Sequence, residues 1–164
     1  MRKRRSAALG VITAVLVYAG IRHRLRRYEI VERSMQPTLQ PGDYVVGIPT
    51  GEIARADIVV FTHPAIEGFE LVKRVVGLPG ESVAIHNGQV NIEGRVLAEG
   101  WADGPTLPDG EWQLGPDQVF VLGDNRALST SDSRTLGPIP VDSIGWRIVA
   151  RYWPLHAVGR LSGA

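Results

Sequence analysis

The sequence predicts a mostly β protein, an antiparallel β-sheet domain over residues 30–164 behind an N-terminal membrane-anchor helix. Three observations carry this. After Arg27, short runs rich in Val, Ile, Phe and Tyr alternate with clusters of Gly, Pro, Asp and Asn, the signature of strands and turns. No stretch of that body keeps a helical period. The first 27 residues hold an uncharged run between two basic clusters and no acidic residue.

Residues 1–5 are a basic tail, 6–21 (SAALGVITAVLVYAGI) the anchor and 22–29 a basic juxtamembrane linker. As a helix the 16-residue run spans about 24 Å, against ~30 Å for a bilayer's hydrocarbon core. Arginines at its ends can snorkel across the difference. The run reads as a single membrane span. A cleavable signal peptide, with a small-residue site near Val17-Tyr18-Ala19, and an interfacial helix are the competing readings. Arg2, Lys3, Arg4 and Arg5 balance Arg22, Arg24, Arg26 and Arg27, so charge alone does not choose the orientation.

Candidate strands follow in order: DYVVGI (43–48), DIVVFT (57–62), FELVKRVVG (69–77), SVAIH (82–86), QVNIEG (89–94), QVFVLG (118–123) and IGWRIVARYW (144–153). Asn87-Gly88 between two alternating runs is a two-residue hairpin signal. Residues 95–117 read as an irregular or partly stranded insertion. Without internal repeats, the body is one domain.

Charge narrows the function. Residues 1–27 hold eight of the 18 Lys and Arg, leaving ten basic against 17 acidic groups in the rest, a balance of −7. Such a body is not expected to bind nucleic acid. There is no cysteine, and the four histidines (His23, His63, His86, His156) have no ligand-like spacing, so no metal is expected.

Two residues point to nucleophilic chemistry. Ser34, in SMQPTLQPGDYVVG, precedes a turn-rich segment, but a serine alone is a poor nucleophile and needs a base. Lys73 is the only lysine after Lys3, and the other nine basic residues of 28–164 are arginines. A bias toward arginine explains the nine. The retained lysine matters chemically, because an ammonium can lose its proton when buried and a guanidinium effectively cannot. In FELVKRVV, alternation sets Phe69, Leu71, Lys73 and Val75 on one face and Glu70, Val72, Arg74 and Val76 on the other. Lys73 thus sits among apolar neighbours, where its pKa would fall. Arg74 is expected to pair with Glu70. A triad of Ser34, His63 and Asp57 is compatible with the residue types, but no motif supports it.

The segments SMQPTLQPGDYVVG, DIVVF, LVKRVVGLPGE and VFVLGDNRALSTSDSRTLGPIP, in this order, resemble the boxes of the type I signal peptidases, from about Val31 to Pro154. These are Ser-Lys endopeptidases that remove signal peptides from exported preproteins. The resemblance implies a β catalytic domain on the exported side of a membrane, a single-pass anchor in lipid, preprotein signal peptides as partners, and no cofactor or metal. By position it implies Ser34 as nucleophile and Lys73 as general base, with Met35 and Pro37 shaping the nucleophile loop. In GDNRALSTSDSR it implies a hydroxyl that supports the lysine and an Asp132–Arg134 pair that orders the loop. Thr130 takes the hydroxyl position, with Ser129 as fallback because GDN lies one residue further away than the family spacing. Small residues at the first and third positions before the cut are the implied substrate feature.

Glu32 departs from the pattern: two residues before the nucleophile a glycine or small hydroxyl residue is expected. An ionised carboxylate cannot donate to an oxyanion, so Glu32 is expected to point to solvent, paired with Arg33 or another arginine. Two other functions remain open. One is a maturation protease for a single precursor, of the nickel superoxide dismutase type. Lys73 and Gly123 are 50 positions apart, which argues against its shorter spacing. The other is a catalytically weak, membrane-tethered β scaffold.

Overall fold

The structure, a computed structural model, describes residues 25–161. The anchor segment 6–21 lies outside them, and among the described residues no helix is long and apolar enough to cross a membrane. Every pair of named strands in the body is antiparallel. In chain order it comprises β1 (Arg26–Glu29), β2 (Tyr44–Pro49), β3 (Ile58–Thr62), β4 (Glu70–Gly77), β5 (Ser82–His86), β6 (Gln89–Ile92), β7 (Arg95–Val96), β8 (Gly110–Gln113) and β9 (Gln118–Leu122). A single helical turn, α1 (Ser133–Leu136), then leads to β10 (Ile139–Pro140), β11 (Ile144–Trp153) and β12 (Gly159–Arg160).

The larger sheet runs β1-β2-β11-β3-β4-β9-β10, with β12 on β11; the smaller runs β7-β6-β5-β8. β3 lies in the middle of the larger sheet, and its first four residues, Ile58 to Phe61, are all buried. Its alternating side chains feed two cores. Val59 and Phe61 pack with Leu71, Val75, Val119 and Val121, while Ile58 and Val60 pack with Ile30, Met35, Leu39 and Val45. A third cluster joins the sheets, setting Val83 and Ile85 against Val76, Phe120 and Leu122. Asn87 and Gly88 close the β5–β6 hairpin with φ of 52° and 79°, the left-handed backbone such a turn requires.

One segment differs from the sequence expectation. Within the basic linker 22–29, residues 26–29 form β1, and Arg26 forks onto Glu70 at 3.0 and 2.9 Å and lies over the rings of Tyr28 and Trp146. Its charge is used in packing as well as in flanking the anchor. The 95–117 segment, expected as an irregular or partly stranded insertion, is partly stranded: β7 and β8 are the outer strands of the smaller sheet. Its middle returns to the segment that follows β9, where Asp103 forms an isolated parallel bridge with Asn125.

Candidate active site

β3 and β4 pair so that Lys73 lies opposite Val59, with Leu71 and Val75 of its own face buried. Of the apolar face read from the sequence, Leu71 and Val75 enclose Lys73, which is 1% exposed, while Phe69 lies ahead of β4 and is exposed. The turn after Ile30 is drawn back under β4 by Met35 and Leu39, both buried in the core. That packing carries Ser34 to the lysine: Lys73 Nζ lies 2.9 Å from Ser34 Oγ and also donates to the Val72 carbonyl at 3.1 Å. Burial pushes the Lys73 pKa below the ordinary lysine value. Asp132, Glu32 and Asp124 oppose the fall by attracting its charge, and Arg134 adds to it by repulsion.

Behind this pair the GDN segment forms a second layer. The Asn125 N–H donates to the Ser34 carbonyl at 3.0 Å, tying the two loops together. Asp132 caps α1 and accepts from Ser129 Oγ at 2.6 Å, from Gly123 N at 3.2 Å and from Arg134 Nε and Nη2 at 3.0 and 2.8 Å. Burial works against its charge, but the hydrogen bonds from Arg134 and Ser129, with the guanidinium's attraction, hold its pKa below the usual carboxylate range. Of the two hydroxyl candidates, Ser129 is the one in this layer. Thr130 is exposed, and its carbonyl is what is engaged, by Thr135 Oγ1 at 2.7 Å. The one-residue offset in the GDN box thus brings Ser129, rather than Thr130, to Asp132.

Arg74 differs from expectation. It does not reach Glu70, which Arg26 holds. Instead Arg74 Nε and Nη2 clasp Asp124 at 2.8 and 2.7 Å, both residues being buried, and the guanidinium lies 4.9 Å from the centre of the Trp101 ring. β4 is covered on both faces where β9 pairs with it, so this arginine is an interior residue. The sequence reading also missed Arg126, which is buried, bonds Glu99 and Thr106 and donates to the Gly123 carbonyl at 3.0 Å. Its partners come from the 95–117 segment, whose role no local pattern revealed. His63 and Asp57 are likewise occupied elsewhere: His63 Nδ1 accepts from Ala65 N at 3.1 Å, and Asp57 faces Arg147 at 3.4 Å.

Ser34 and Lys73 lie at the floor of a cleft of about 230 Å³ between the Tyr28–Glu32 stretch and the start of β4. Among the described residues both walls have main-chain groups that bond to no other strand, although the Val72 carbonyl also accepts from Lys73 Nζ. Phe69 and Val75 bond to His63 and Asp57 at 2.7 and 2.9 Å. In an antiparallel ladder bonding residues alternate, so Glu70 and Val72 turn their N–H and C=O away from β3 and toward the cleft. On the facing wall Ile30 bonds inward to Gly42 and Asp43, both at 2.8 Å, which turns the main chain of Val31 outward. Tyr28 also lines the cleft, and burial, helped by Glu70, pushes its pKa up to about 12, so it stays neutral. Among the described residues the Ser34 N–H has no hydrogen-bond partner, and no group of acidic or histidine side chains is placed to hold a metal ion.

Gly123 sets the spacing of the two layers. A Cβ there would lie 2.3 Å from Ser129 Oγ, 2.4 Å from Ser129 Cβ and 2.6 Å from the Ser34 carbonyl oxygen. Gly123→Ala is expected to lower the unfolding free energy by about 1–3 kcal/mol through overpacking. Denaturant titration measures this, and an unchanged midpoint would show that the loops yield at no cost.

A family model described as signal peptidase, peptidase S26, matches residues 4–153. The chain is 35% identical over 164 residues to a probable signal peptidase I-2 of Synechocystis sp., covering 93% of this chain and 74% of that protein. It is 35% identical over 161 residues to signal peptidase I of Bacillus caldolyticus, covering 86% and 87%. With a probable thylakoidal processing peptidase 2 of Arabidopsis thaliana it shares 36% identity over 160 residues, 90% of this chain but 43% of that protein. A crystal structure of a signal peptidase I from Enterococcus faecalis superposes with a TM-score of 0.51 at 28% identity, over 57% of this chain and 94% of that one.

Proposed function

The chain belongs to the signal peptidase family, peptidase S26, and from that premise we propose that it is a membrane-bound serine endopeptidase, which removes N-terminal signal peptides from exported preproteins through a Ser34–Lys73 dyad. Residues 6–21 anchor it, with the β body on the exported side. The observation that carries the reading is the buried Lys73 ammonium within hydrogen-bond distance of Ser34 at the floor of an open-walled cleft.

The chemistry follows from this geometry. Once neutral, Lys73 accepts the Ser34 Oγ proton over 2.9 Å, and the Val72 carbonyl holds the amine in place. Oγ attacks the scissile carbonyl, and the unengaged Ser34 N–H is placed to donate to the oxyanion. The lysine then returns its proton to the departing amine, leaving an acyl-enzyme on Ser34. Water, deprotonated by the same amine, hydrolyses that ester. Met35 and Pro37 shape the serine's loop, while Ser129, Asp132 and Arg134 fix the layer behind it. The preprotein enters as an extended strand whose main chain pairs with Val31, Glu70 and Val72.

Ser34→Ala tests the assignment. The purified full chain in detergent is expected to cleave a preprotein after a small-x-small site, and the variant to lose this cleavage. A variant with near wild-type turnover overturns the nucleophile.

A further inference from the structure

The cleft carries three carboxylates, Glu29, Glu32 and Glu70. Two have partners. Arg26 clasps Glu70 with both nitrogens, and Glu29 acts on the Tyr44 hydroxyl, whose pKa its charge raises. Glu32 has none: among the described residues it makes no hydrogen bond or ion pair, and it is exposed. It points to solvent as the sequence suggested, but the pairing with Arg33 or another arginine is not formed among the described residues.

Position makes this carboxylate consequential. Glu32 is two residues before Ser34, within about 7 Å of chain, and its field reaches Lys73. Ser34 and Lys73 are buried at the floor, whereas Glu32 stands at the exposed rim. A strand lying in the cleft points alternate side chains to opposite faces. If the small residues at the first and third positions before the cut face the floor, their neighbours face the rim. Those neighbours are the residue between them and the first residue after the cut.

We infer that Glu32 is a specificity-determining residue, which selects preproteins carrying lysine or arginine at a rim-facing position beside the cut and rejects those carrying an acidic residue there. The inference rests on the protease reading of the cleft. The test below distinguishes this role from a carboxylate that takes no part in substrate choice.

The full chain in detergent is given peptides that differ only at the residue between the two small positions, or only at the first residue after the cut, as Lys, Gln or Glu. The readout is the ratio of kcat/KM for Lys over Glu at one pH. Glu32 also raises the Lys73 pKa, alongside Asp132 and Asp124 and against Arg134. A ratio taken within each variant cancels that effect. Wild type is expected to favour Lys by roughly tenfold at one of the two positions, Glu32→Gln to bring the ratio near one, and Glu32→Lys to invert it. The wild-type preference should shrink as salt is raised. A wild type indifferent to charge, or a ratio unchanged in Glu32→Gln, overturns the inference and leaves the dyad standing. If wild type cleaves none of the peptides and matches Ser34→Ala, both readings fall.

Discussion

Lys73→Met is expected to lower cleavage by at least about a thousandfold and, at the same time, to raise thermal stability. The two effects have one cause. Lys73 is 1% exposed and its pKa is depressed chiefly by burial, so folding disfavours its proton. The unfolded chain binds that proton up to the ordinary lysine pKa, the folded chain only up to the lower one. Between the two values the unfolded state holds more protons, and stability rises with pH. The penalty is full below the folded pKa and gone above the unfolded one. Methionine has similar volume and no proton to lose, so the variant should melt higher at neutral pH and lack this alkaline slope. Wild-type cleavage should climb with pH through the depressed pKa, because only the neutral amine is a base. Lys73→Arg keeps the charge and cannot act as a base, so it too should be inactive. An active arginine variant would sink the proton-transfer role and leave the fold untouched.

Arg74→Ala should cost about 3–5 kcal/mol, because it leaves Asp124 ionised in the interior without a partner. Asp124 is fully buried and Arg74 is 3% exposed, so water cannot replace the lost guanidinium. For a domain whose total stability is on the order of 5–15 kcal/mol, that brings the body close to unfolding. Chemical denaturation should show a lower midpoint with an unchanged slope. Replacing both partners by leucine removes the stranded charge together with the pair, and should recover much of the loss. A single variant that loses less than about 1 kcal/mol would show that the ion pair is not what holds β4 to the GDN loop.

What the sequence revealed, and what it hid, follows the range of the interactions. Strands β2 to β6, β9 and β11 announce themselves through alternation and turn residues, which act over a few positions. The Ser34–Lys73 contact was legible because a lone lysine among arginines on an apolar face is a chemical anomaly in any context. Arg74 was misplaced because its nearest acid on the same strand face is Glu70, while its partner Asp124 lies 50 residues away. Nothing local distinguishes an arginine that reaches across a sheet from one that pairs along it. Thr130 and Ser129 are adjacent hydroxyls, and only the turn into α1 decides which one meets Asp132. β1 was hidden for another reason: its residues, RRYE, read as a charged linker, and they are a strand because β2 offers them an edge.

The two strand edges lining the cleft, unpaired among the described residues, have a cost when no peptide occupies them. A sheet edge recruits any extended chain, and neither wall distinguishes a preprotein from a neighbouring molecule or an unfolded loop. The safeguard here is brevity. β1 is four residues long, and on β4 only the stretch ahead of Arg74 is uncovered by β9. That is room for a short peptide and too little to seed a growing sheet. Short edges of this kind can pair with a peptide without templating a further strand, and lengthening either one would trade resistance to aggregation for grip.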